Sequence, residues 1–202
     1  MRRPQDVAEA ATDAERPVAT TGSEGRAPSF DRGMFDVPIA GRRLPFALMP
    51  PYLNTLNLSG GELAAQPGWR LTRDAIAEMR TVSQSFGATF VVMFVPFKSQ
   101  VYLPLVERAF AAEDLRSAFR FYLEAYGRDV DVDRLRTNRL AQNRLMQRFC
   151  AAAGIPFVDT TAALEERVQQ GENVYFPDDS HLNEAGEAIL ADTISAFIQS
   201  LG

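Results

Sequence analysis

One cysteine, Cys150, stands in 202 residues, which excludes any internal disulfide. It lies at the end of a helical pattern, in Phe149-Cys150-Ala151, where a thiol serves as a small buried hydrophobe and says nothing about redox compartment. Histidine also occurs once, at His181. One histidine and one distant cysteine do not make a zinc site, and the acids near His181 lack the ligand spacing of a calcium loop. No glycine-rich segment after a strand is built to cradle phosphate. Neither metal nor cofactor is therefore expected. No stretch approaches the ~20 apolar residues of a membrane span. The opening MRRPQDVAEAATDAERP lacks the apolar core of a secretory signal. An excess of positive charge is missing too. The net charge of −5 argues against a nucleic-acid partner, and the arginines between Arg108 and Arg148 are interleaved with Glu113, Asp114, Glu124, Asp129, Asp131 and Asp133. That mixture reads as a solvated, salt-bridged surface.

What is present is a globular composition, 46% apolar and 23% charged, in a chain long enough for one domain with a buried core. Residues 1–33 hold Pro, Gly, Ser, Thr, Ala and mixed charge with hardly a large aliphatic side chain. Such a head buries too little to offset its ordering entropy, so disorder is expected there and a domain over 34–202. Phe35-Asp36-Val37-Pro38-Ile39 and Leu44-Pro45-Phe46-Ala47-Leu48 read as two extended segments around a tight turn. Their prolines push them to a sheet edge or to an excursion outside the main sheet.

Trp69 to Phe86 carries Leu71, Ile76, Met79, Val82 and Phe86 near helical spacing and ends at Gly87. Ala88-Thr89-Phe90-Val91-Val92-Met93-Phe94-Val95 is a continuous apolar run, the pattern of a strand covered on both faces. A helix is expected from about Ser99, a long one over 131–153, a short buried strand at Ile155-Pro156-Phe157-Val158, and a last helix from Asn183. Asp159-Thr160 is placed to cap the helix between them. The order is that of an α/β fold with a parallel sheet. Only two core strands are legible, where a doubly wound sheet has four or five.

The densest chemistry lies in Tyr175-Phe176-Pro177-Asp178-Asp179-Ser180-His181-Leu182-Asn183-Glu184-Ala185-Gly186. Two carboxylates precede the sole histidine by three and two residues. Either could accept a hydrogen bond from one imidazole nitrogen, fix the tautomer and free the other nitrogen as a base. The bland alternative is a surface histidine at a helix start, with Asp178 or Asp179 serving the helix dipole. Asn183 is a good N-cap, and Gly186 in the first turn costs helix stability unless the backbone packs closely there. Lys98, Tyr102 and Asp159, near strand ends, are further candidates to line a pocket.

Asp-Asp-Ser-His-Leu-Asn-Glu-Ala-Gly before an amphipathic helix resembles the C-terminal block of SGNH/GDSL-type hydrolases. Val91 to Tyr102, with its Pro-x-Lys-x-x-Val-Tyr turn, resembles bacterial members related to polysaccharide O-acetyltransferases, and Phe157-Val158-Asp159-Thr160-Thr161 resembles their strand end. The similarity spans about 35–200, with Pro51-Tyr52-Leu53 and Asn57 resembling an insertion that precedes this half. The resemblance implies a partial three-layer parallel-sheet domain (SGNH/flavodoxin-like), with the small β excursion near the N-terminus. It implies ester hydrolysis or O-acetyl transfer on esters or acetylated carbohydrate, with His181 as base and Asp178 or Asp179 as its acid. It also allows a periplasmic or cell-envelope location. The family's Gly-Asp-Ser nucleophile segment has no counterpart here: Gly22-Ser23-Glu24 has no strand before it, Ser59-Gly60-Gly61 reads as a turn, and Ser99 fits an N-cap better than a nucleophile. The chain thus looks like the C-terminal half of such a domain. It is expected to have little activity in isolation, or to serve as a binding module or fragment of such an enzyme.

Overall fold

The computed structural model describes residues 27–126 and 131–200. Most of the expected disordered head lies outside these residues, but its end does not. Ser29–Asp31 forms strand β1, paired antiparallel with β2 (Met34–Ile39), which pairs in turn with β3 (Arg42–Ala47). The β2–β3 turn is Ala40-Gly41, both at positive φ (50° and 72°), the two-residue geometry that matches strand twist. The pairing Pro38↔Arg43 and Asp36↔Pro45 alternates with Ile39↔Arg42 and Val37↔Leu44. Counted out from a two-residue turn, both prolines fall at non-hydrogen-bonded positions, where a missing N–H leaves no gap in this ladder.

The chain continues through α1 (Pro50–Leu56), α2 (Gly60–Ala65) and α3 (Pro67–Ser85) to β4 (Val92–Phe94). Then come α4 (Lys98–Ala109), α5 (Ala112–Tyr126), α6 (Val132–Asn138), α7 (Ala141–Ala153), β5 (Phe157–Asp159), α8 (Thr161–Gln169) and α9 (Glu184–Ser200). Ser59 is the N-cap of α2 in a capping box with Glu62 rather than part of a free turn. The single helix expected over 131–153 is divided at Arg139-Leu140. The break lets the Arg139 carbonyl accept from Gln100 Nε2 (2.9 Å) while its guanidinium donates to the Gln100 carbonyl (2.9 Å) and pairs with Glu165. Tertiary hydrogen bonds outweigh helical continuity at this point.

The described residues are mixed α/β, mostly helical, with two small sheets. β4 and β5 pair in parallel with Val92↔Phe157, Met93↔Val158 and Phe94↔Asp159. The main core does not lie on this pair. It lies where Phe35, Val37, Leu44 and Phe46 of the antiparallel sheet meet Val101, Tyr102 and Leu105 of α4. Burial of each large side chain there contributes about 1.5–3 kcal/mol. The parallel pair rests on a smaller cluster of Ile76, Cys150 and Ile155.

The run 88–95 is not covered on both faces. Met93 and Val95 are exposed, and of the apolar stripe on α3 only Ile76 is buried, while Leu71, Met79, Val82 and Phe86 face outward. A parallel strand normally carries cover on each face, and among the described residues β4 has it on one.

Candidate acid–base site

The site is one loop between two anchors. Before it, Tyr175 forms an antiparallel bridge with Leu182, and Phe176 N–H donates to the His181 carbonyl (3.0 Å). After it, Asn183 begins α9: its Oδ1 accepts from Gly186 N–H (3.0 Å) as an N-cap, and its Nδ2 donates to the Asn173 carbonyl (2.7 Å). Gly186 packs so closely that a Cβ there would overlap the Val174 carbonyl and lie 2.7 Å from Leu182 Cδ2. This is the close backbone approach that its helix-destabilising presence implied.

Within the loop the two aspartates part ways. Asp179 Oδ1 lies 2.6 Å from His181 Nδ1 and also accepts the backbone N–H groups of Ser180 and His181. The His181 hydrogen bond, with the two backbone donors, holds the Asp179 carboxyl below its ordinary range. Asp178 is exposed, with no hydrogen bond or ion pair of its own among the described residues. The imidazole side chain is 80% exposed. Among the described residues nothing bonds its Nε2, so the nitrogen opposite the carboxylate faces open solvent.

Three groups behind the loop hold its backbone. Lys98, the first residue of α4 and directly beyond β4, is fully buried, and its Nζ donates to the carbonyls of Phe176 (2.7 Å), Pro177 (2.7 Å) and Asp179 (3.0 Å). Burial lowers the Lys98 ammonium to about 8, opposed by the charges of Asp178 and Asp179. Tyr102 Oη donates to Asn173 Oδ1 (3.1 Å) and accepts Val174 N–H (3.1 Å), and Tyr175 Oη donates to the Pro96 carbonyl (2.7 Å). Burial pushes the Tyr102 hydroxyl up to about 12 and raises that of Tyr175 as well. The antiparallel sheet joins in through Ala47 N–H, which donates to the Pro177 carbonyl (2.7 Å).

Lys98 and Tyr102 therefore line no open pocket. Asp159 is committed as well, accepting from Thr161 N–H (3.0 Å) and Oγ1 (2.6 Å) at the start of α8, and from Asn143 Nδ2 (2.9 Å). Ser99 is not an N-cap, a place held by Phe97. Its side chain is completely buried, its Oγ has no hydrogen-bond partner among the described residues, and it does not reach His181. Gly22-Ser23-Glu24 lies outside the described residues. Among those that are described, no serine hydroxyl bonds His181.

The acids, the histidine, Lys98 and Tyr102 are all legible in the sequence, but Lys98 and Tyr102 read there as pocket-lining groups, not as the groups that hold the loop. The available signal was Lys98 itself, a lone lysine at the end of an apolar strand. No helix of the described residues is long and apolar enough to cross a membrane. The same residues contain no group of three or more His, Cys, Asp or Glu able to hold a metal ion.

Residues 119–201 match the family model described as SGNH hydrolase-like domain, acetyltransferase AlgX. The matched segment contains Asp178, Asp179, His181 and Gly186, and begins after the β4–α4 turn. It bears out the SGNH resemblance for the C-terminal part of the chain. Comparison with curated proteins and with solved structures gives no significant match.

Proposed function

We propose that this chain carries the base and the orienting acid of an SGNH-type ester hydrolase or O-acetyltransferase site. The observation that carries the reading is the 2.6 Å contact between Asp179 Oδ1 and His181 Nδ1, with Nε2 left open to solvent. A carboxylate on Nδ1 keeps the proton there, so Nε2 holds the lone pair that takes a proton from an attacking hydroxyl. As that proton arrives, the carboxylate stabilises the imidazolium. Asp179 is the acid in this scheme, and Asp178 is a neighbouring charge.

No described serine bonds His181, so in this reading the attacking serine and the oxyanion donors come from residues other than those described. Acetyl esters are the substrate class in this reading, from the acetyltransferase description of the family matched over 119–201, and carbohydrate as their carrier comes from the sequence resemblance alone. The parallel pair β4–β5 then belongs to a larger three-layer sheet, with the Asp179–His181 loop near the carboxyl end of β4, where open α/β sheets place their sites.

A second reading has its own support. No serine among the described residues bonds His181, and Met93 of β4 and Val95 just after it are exposed, as expected of a binding module or a fragment that retains part of an enzyme fold. Turnover of a generic acetyl ester by the purified chain separates the two. Hydrolysis abolished by His181→Ala supports the enzyme reading for this chain, and no hydrolysis at any pH from 6 to 9 supports the second.

A further inference from the structure

We infer that Lys98 is a positioning residue whose buried side chain holds the Phe176–His181 loop in the shape that turns the Asp179 carboxylate onto His181. The chain has one lysine against twenty arginines, and that lysine is completely buried. An ammonium has three N–H donors in tetrahedral array. Here each finds a main-chain carbonyl, those of Phe176, Pro177 and Asp179. A planar guanidinium cannot point three donors at three converging carbonyls from one small volume, which separates this position from every other basic one in the chain.

No carboxylate forms an ion pair with Lys98 among the described residues. Burying an ammonium without one is costly, and a methionine would fill the same space with no charge. The carbonyls give the reason for the charge. Three carbonyl dipoles converging on one point repel one another unless a cation sits between them. The Asp179 peptide is anchored by its carbonyl on Lys98 while its side chain accepts from His181 Nδ1, so the ammonium and the imidazole are joined through a single residue. Lys98 is itself held at the start of a buried helix, with the Tyr102 ring 5.9 Å from Nζ. The catalytic meaning of this clamp rests on the reading of His181 as a base, but its geometry does not.

Lysine and histidine each occur once, so 15N-lysine and 15N-histidine labelling of the full chain yields one ammonium and one imidazole signal. The expected wild-type result is a slowly exchanging Nζ signal with couplings across hydrogen bonds to the carbonyl carbons of residues 176, 177 and 179. It is accompanied by a downfield His181 Nδ1–H signal. In Lys98→Met with unchanged circular dichroism, Nδ1–H exchange rises roughly tenfold, about the effect of losing one net hydrogen bond, or the signal is lost. In Lys98→Ala, n-propylammonium restores that signal and tetramethylammonium, which has no N–H, does not. An Nζ that exchanges like free lysine, or a Lys98→Met imidazole signal identical to wild type, overturns the assignment. Should neither variant fold, the presence or absence of the wild-type couplings decides it. An intact lysine–histidine signature in a chain with no ester turnover counts against the catalytic reading alone.

Discussion

His181 Nδ1 and Asp179 Oδ1 lie 2.6 Å apart across two residues of sequence, and the same oxygen accepts the His181 main-chain N–H at 3.1 Å. The carboxylate thus binds both ends of one residue, fixing the ring relative to its own backbone. Asp178, one residue earlier, points elsewhere. Asp179→Asn is expected to replace the charged acceptor that keeps the proton on Nδ1 with a neutral amide that can also donate, and Asp178→Asn to leave the acceptor in place. The sole imidazole signal in 15N spectra reads the difference directly. Where ester turnover is present, Asp179→Asn lowers kcat by roughly 10⁴-fold, the scale of disabling the orienting acid in a serine triad.

Acid should loosen the loop in a defined direction. The Asp179 carboxyl is held below its ordinary value by His181 and the two backbone donors, while in the unfolded chain it returns to about 3.9. Between those values the unfolded chain binds more protons, so the contribution is complete above about 3.9 and fades as pH falls through the folded value. The protection factors of the Ser180 and His181 amides, each exchange rate taken relative to the intrinsic rate at the same pH, should fall in wild type as pH drops through that window. In Asp179→Asn they are low throughout. Equal acid dependence in both proteins would sink the assignment.

Gly186→Ala tests the close packing at the start of α9. Alanine is the better helix former by about 1 kcal/mol, yet its Cβ would overlap the Val174 carbonyl and crowd Leu182. Overpacking costs typically about 1–3 kcal/mol and sometimes more, and backbone atoms yield little. A net loss of at least ~1 kcal/mol in denaturant midpoint is expected. Gly61→Ala in α2, where a Cβ meets nothing within 4 Å, should be neutral or stabilising.

Tyr102→Phe removes the hydroxyl between Asn173 Oδ1 and Val174 N–H. The ring volume stays, but a buried N–H loses its acceptor, at a cost of about 1–3 kcal/mol. Urea unfolding with an unchanged m-value measures it.

Exposed apolar surface on β4 and α3 should bind the dye ANS in the native chain. Met93→Lys with Val95→Lys, one exposed in β4 and one exposed just beyond its end, is expected to reduce that fluorescence without loss of secondary structure. Unchanged fluorescence would mean that this face is not the apolar surface seen by the dye.

Much of the fold was legible because its signals are local. The Asn183 cap and Gly186 announced the last helix, Gly87 at positive φ (71°) follows α3 where the helical pattern ends, and the hairpin showed in two apolar runs around Ala40-Gly41. Signals failed where partners lie far away in sequence. β1 was hidden in a polar head because its order comes from pairing with β2, which repays the entropy that composition alone suggests is lost. The helix break at Arg139 depends on Gln100 and Glu165. Apolar residues on α3 read as core because periodicity reports a face, not what covers it.

By itself the sequence determined the chemistry available to this protein: one histidine, two aspartates in the three residues before it, and a capped helix to end the loop. Local spacing suffices for that, since a loop of a few residues brings those groups within reach. Which acid meets the ring, and what holds the loop, only the tertiary structure decided. Lys98 lies about eighty residues from the carbonyls it binds, and the direction of a peptide carbonyl leaves no mark in the residue type that carries it.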